Sequence, residues 1–186
     1  MPEYFEKGTK SVCAISPGVL GTTGIETSEI VEGVIQKVKP DLIIAIDALA
    51  SRKAERINTT IQICDTGIKP GSGLGNKRKG INKEELGVPV ISIGVPTVVD
   101  AATLANDTID RVIDTLISET KDKDKNFYTM LKDIDRNEKI NLIHNVLSPY
   151  FSDLVVTPKE IDELIEQTST IIAEGINEMI NEKFIM

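Results

Sequence analysis

Three aspartates, Asp47, Asp65 and Asp100, fall where the pattern of apolar runs should end a strand or open a turn. Paired carboxylates can share a proton and activate water for hydrolysis, because each shifts the other's pKa. Asp47 has the sharpest setting of the three. It follows Leu42-Ile43-Ile44-Ala45-Ile46, five apolar residues without a polar break. A carboxylate at the end of such a run is costly to bury unless it is paired or protonated. The alternative is an acid that caps the following turn, and the local pattern leaves both open.

Other chemistries have weaker support. The stretch Gly71-Ser72-Gly73-Leu74-Gly75-Asn76-Lys77-Arg78 has the alternating glycines and vicinal cations of a phosphate cradle. It lacks the spacing and the Ser or Thr after Lys that a Walker A loop requires. No apolar strand runs directly into it, so it is not a dinucleotide fingerprint either; it reads as a substrate-facing or structural loop. Nucleophilic catalysis by Cys13 or Cys64 needs a base. The single histidine, His144, lies far along the chain on an amphipathic stretch. No set of Cys, His and acids has zinc-ligand spacing, and no metal or cofactor is expected.

The elements that must position Asp47 follow from periodicity. Val12–Ile15 reads as a short strand, followed by a Gly-rich turn. A helix with Ile30, Val31, Val34, Ile35 and Val38 on one face stops before Pro40. The apolar run ending at Asp47 suits a strand covered on both faces. A short helix over 48–57, a strand over 59–64 and a long loop over 65–80 come next. Asn82 and Glu85 open a capped turn, and 89–95 is a strand closed by Pro96. Helices are expected over 98–117, 138–147 and from Thr157-Pro158-Lys159-Glu160 onward, where Thr157 stands as N-cap. The fold class is α/β: a mixed, mostly parallel sheet with helices on both faces, in a single domain over 1–186. Residues 118–136 are expected to form a charged linker or insertion.

Composition narrows the class. The 186 residues suffice for one well-cored domain and are few for two. A net charge of −8 and 4% aromatics without Trp argue against a nucleic-acid surface. No signal peptide or bilayer-length apolar run is visible, and two cysteines make no disulfide framework, so a cytoplasmic location is expected.

Several stretches together resemble the germination protease of spore-forming bacteria. They include Ser16-Pro17-Gly18-Val19, Thr23-Gly24-Ile25-Glu26-Thr27, Ala45-Ile46-Asp47-Ala48-Leu49-Ala50 and Asn58-Thr59-Thr60-Ile61-Gln62-Ile63. Asp65-Thr66-Gly67-Ile68-Lys69-Pro70-Gly71-Ser72-Gly73, Gly75-Asn76-Lys77-Arg78 and Gly94-Val95-Pro96-Thr97-Val98-Val99-Asp100 extend the match. The resemblance implies endoproteolysis of small acid-soluble spore proteins in the spore core, two catalytic aspartates and no metal. It also implies a fold similar to hydrogenase-maturation peptidases, an inactive precursor and a homo-oligomer. Asp47 matches the second of the family's two aspartates. The first lies upstream of the Ser-Pro-Gly-Val motif, and only fifteen residues precede Ser16. The expectation is therefore the C-terminal part of a longer protease, missing one catalytic aspartate, with little activity by itself. Asp65 and the loop residues Gly71, Gly73, Gly75, Asn76, Lys77 and Arg78 are candidates to face substrate. Two other classes compete: a non-catalytic oligomerisation or substrate-binding module, and a phosphate- or nucleotide-binding protein using the 71–78 loop.

Overall fold

A computed structural model describes residues 11–69, 79–120, 125–151 and 154–180. The sheet is built around β3 (Val90–Asp100), an eleven-residue strand in which Val90, Ile93, Val95 and Val99 are buried. β-Branched residues dominate it, and such side chains pack well on a pleated, covered surface. β1 (Ile43–Ser51) lies parallel to β3, from Ile43 opposite Val90 to Ser51 opposite Val99. The other edge of β3 is shared. β2 (Gln62–Cys64) pairs with Ser92–Gly94, and β4 (Val155–Val156) with Val99–Asp100, both antiparallel.

An α/β architecture with a mixed sheet is thus present, but the expectation of a mostly parallel sheet is corrected. One pairing is parallel and two are antiparallel. The reason for the sense of β2 is the brevity of one connection. β2 follows β1 after only a turn of 3-10 helix (Ala54–Arg56), whereas a parallel return requires a crossover of a dozen or more residues.

Two strands are longer than their sequence pattern suggests. β1 runs through Asp47 to Ser51, where a short helix over 48–57 was expected. β3 passes Pro96, which was expected to close it. Proline cannot donate to a ladder and is tolerated at bulges. The register shifts here: Leu49 pairs with Pro96 and Ala50 with Val98, which leaves Thr97 unpaired against β1. The Pro96 carbonyl stays in use, accepting from Asn58 N–H at 2.8 Å.

Of the helices, α1 (Leu20–Thr23) is one turn, and α2 (Thr27–Val38) occupies the expected amphipathic span. The Val12–Ile15 stretch is not a strand. α3 (Lys83–Leu86) is capped as read from the sequence, with Asn82 Oδ1 accepting from Glu85 N–H at 2.9 Å. Asn82→Ala should therefore cost about 1 kcal/mol, measurable by urea unfolding. α4 (Ala101–Thr120) begins three residues later than expected because β3 runs on to Asp100. The Asp100 carboxylate then accepts from Ala102 and Thr103 N–H at 2.7 and 3.2 Å.

Within 118–136 lies α5 (Lys125–Lys132), followed by α6 (Arg136–Phe151); both pack on α4. Lys139 pairs with Asp110 across the α4–α6 contact. α7 (Ile161–Ile180) starts after Thr157, which is not its cap. The Thr157 hydroxyl donates instead to the Thr97 carbonyl at 2.8 Å, tying β4 to the bulge. Ile172 and Ile176 of α7 pack on Ile93, Val95 and Ile44, and so cover one face of the sheet.

Candidate functional site

Asp47 is the fifth of nine residues in β1, level with Gly94. It does not end the strand, and β1 is an edge strand rather than a central one among the described residues. It does face a cleft. A groove of about 1060 Å³ runs between β1, β3 and α7, with Ser11, Val12 and Ala14 along its rim. Its walls are chiefly apolar, including Ile46, Val95, Ile165, Ile172 and Ile176, and Asp47 is its one carboxylate among the described residues.

Alternation of side chains fixes how Asp47 enters this groove. Ile44, Ile46 and Ala48 share the face of Ile93 and Val95, against which α7 packs. Asp47 and Leu49 lie on the opposite face with Gly94. Consecutive residues Ile46, Asp47 and Ala48 all line the groove, so it wraps round the free edge of β1. A strand paired on both sides would block that passage.

The Asp47 carboxyl is half-buried, and this burial pushes its pKa above the ordinary value of 3.8. A hydrogen bond from Ala48 N–H to Oδ1, at 2.9 Å, opposes the shift. The folded state therefore holds the Asp47 proton to higher pH than the unfolded chain does. Its stabilising contribution is complete below the ordinary carboxyl range and is lost as pH rises through the raised folded value. Asp47→Asn should remove that part of the acid-to-neutral slope in melting temperature. An unchanged slope would show that burial leaves Asp47 without thermodynamic consequence.

The other sequence candidates do not gather round Asp47. β2 runs against β3 and pairs on its far side, so Asp65, exposed just beyond Cys64, falls back toward the level of Ile91. Asp100 is six residues past Gly94 and caps α4. Gly71, Gly73, Gly75, Asn76, Lys77 and Arg78 lie outside the described residues. His144 lies on α6. Among the described residues, no cluster of three or more His, Cys, Asp or Glu could hold a metal ion.

The thiol of Cys64 is a feature the sequence did not distinguish. It is exposed, 2.9 Å from Ser92 Oγ and 3.3 Å from Thr66 Oγ1. Hydrogen bonds from Ser92 first and then Thr66 lower its pKa. It lies across β3 from Asp47 and does not line the groove. Asn58 and Thr97 were also missed as groove residues. The signal for Asn58 was present in principle, since asparagine after a short turn commonly takes the left-handed backbone that this residue adopts.

Comparison with known proteins gives the chain its kinship. The germination protease family model matches residues 1–131 and 120–185. The germination protease of Clostridium tetani is 60% identical over 177 residues, 95% of this chain and 54% of the relative. That of Clostridium perfringens (strain 13) is 58% identical over 177 residues, with the same coverage. The Bacillus subtilis (strain 168) protein is 46% identical over 211 residues, 98% of this chain and 57% of its own length. The chain spans about half the length of the curated relatives it matches. On the breadth of these matches, the chain belongs to the germination protease family.

Proposed function

We propose that this chain carries one half of the catalytic apparatus of an aspartate-dependent endopeptidase that hydrolyses small acid-soluble spore proteins during germination. The observation that carries the reading is Asp47: a half-buried carboxyl with a raised pKa, placed where a long apolar groove rounds a strand edge. An endopeptidase must take an internal segment of polypeptide, and a groove that rounds a strand edge offers a surface for one. In an acid pair one carboxyl holds a proton while its ionised partner draws a proton from water. Asp47, whose proton burial holds to higher pH than an ordinary carboxyl does, suits the first role.

Among the described residues no second carboxylate lines the groove, and Asp65 and Asp100 stand apart from it. The relatives are nearly twice the length of this chain. We assign the second aspartate to the part of such a protein that lies outside the 186 residues. A substrate-binding module without catalysis is the competing reading, favoured by the single carboxylate.

A chimera decides between them. This chain replaces the matching 177 residues of the Clostridium tetani germination protease, and cleavage of a small acid-soluble spore protein is followed by gel. The chimera should cleave and the isolated chain should not. Cleavage by the isolated chain would place both acids within it, and an inert but folded chimera would leave only the binding module.

A further inference from the structure

Among the described residues, three polar side chains have a buried atom without a hydrogen-bond partner: Ser28, Asn58 and Asn106. Asn58 is distinct from the other two. Both its Oδ1 and its Nδ2 are unpartnered, and it alone of the three lines the Asp47 groove. Its backbone is left-handed, with φ of 51°, and is pinned by the N–H bond to the Pro96 carbonyl. Pro96 is two residues along β3 from Gly94, the register partner of Asp47. The positive φ accounts for Asn being tolerated at the turn, but Gly or Asp would serve there equally. It does not account for a carboxamide withdrawn from water with neither end satisfied, which is destabilising unless something pairs with it.

We infer that the Asn58 carboxamide is a substrate-binding group of the groove, pairing with one peptide unit of an extended polypeptide. The chemistry is complementary in both directions. A carboxamide offers one acceptor and one donor side by side, and a peptide group presents the matching N–H and C=O. The residue is half-buried while its amide atoms are shielded, so solvent competes little for them and pairing is stronger than at a wet surface. For the amide to meet an occupant, the side chain must turn its shielded end toward the groove that the residue lines. This inference rests on the endopeptidase reading only in requiring that the groove take polypeptide; it does not require Asp47 to be catalytic.

The test is fluorescence anisotropy with a fluorescein-labelled, end-capped heptapeptide of alternating Leu and Ser. Asn58→Gly keeps the left-handed turn and removes the amide. Asn58→Asp keeps the shape, replaces the donor with an acceptor, and decides the matter if the Gly variant fails to fold. Both variants should bind about tenfold more weakly than the unaltered chain, with the melting temperature of Asn58→Gly within about 2 °C of it. A peptide N-methylated at every amide loses its N–H donors but keeps its carbonyls, so the difference in affinity between the unaltered chain and Asn58→Gly should shrink. Equal affinity of the two proteins for the unmethylated peptide would overturn the Asn58 assignment and leave the groove as a peptide site. Absence of saturable binding by the unaltered chain would overturn both. Weaker binding by Asn58→Gly, with a chimera that still cleaves as Asp47→Asn, would keep the binding group and discard the aspartate mechanism.

Discussion

Asp47→Asn in the chimeric protease should lower kcat by about 10³-fold or more while leaving KM within a few-fold of the parent. Shape is preserved, and the Asn carbonyl can still accept from Ala48 N–H as Asp47 Oδ1 does at 2.9 Å. What disappears is the proton. An amide cannot hold and release one in the range where a carboxyl of raised pKa can, so the acid–base pair is lost as a unit. Removing one member of such a unit costs nearly as much as removing both. The parent's rate should also fall on both sides of a pH optimum, because one acid must be protonated and the other ionised. Retention of more than a tenth of the parent rate would remove Asp47 from the chemistry. The groove would then be a docking surface alone.

Gly67→Ala should be the most damaging small substitution in the described structure, costing about 3 kcal/mol. Gly67 has φ of 77°, a region that L side chains rarely adopt. A Cβ there would collide with the Ile81 carbonyl and with Asn82, backbone atoms that cannot swing aside. The Ile68–Ile81 bridge depends on that approach, with N–H···O distances of 2.9 and 2.7 Å. Gly67 also presents its carbonyl to Ser92 Oγ at 3.2 Å, beneath the Cys64 thiol. For a chain of this size the loss corresponds to a fall of about 6–12 °C in melting temperature. A shift below about 2 °C would mean that the 67–81 closure contributes little to the folded state.

How much of this was legible beforehand differs from element to element. The runs Leu42–Ile46 and Val90–Val95 announced their strands because apolar β-branched clusters leave few alternatives. The α2 stripe was equally plain, and so was the helix start after Thr157-Pro158, from which Ile172 reaches the sheet. Strand ends were not legible. Asp47 and Pro96 both look like stop signals locally, yet the strands run through them because nine paired positions of tertiary ladder outweigh local preference. The sense of β2 was hidden too, since strand direction follows from connection length and packing rather than composition. Asp47 stood out by its apolar approach, but the elements that wall the groove around it did not. Its far wall is α7, more than a hundred residues later in the chain, and single-sequence patterns carry no such pairing. Thr157 was misread as a cap because its actual acceptor, Thr97, is distant in sequence.

The parallel pairing of β1 with β3 also has a kinetic consequence. Ile43 meets Val90 only after the whole intervening stretch, including β2 and the 67–81 closure, has been gathered in. Loop-closure entropy is spent before any of these contacts reward it, so the contact order of the sheet is high and folding belongs in the millisecond-to-second regime. During that interval the two most apolar segments, Leu42–Ile46 and Val90–Val95, are both uncovered. Refolding yield should consequently fall as protein concentration rises, even where the folded chain stays dispersed, because the vulnerable species is the one that has not yet joined β1 to β3.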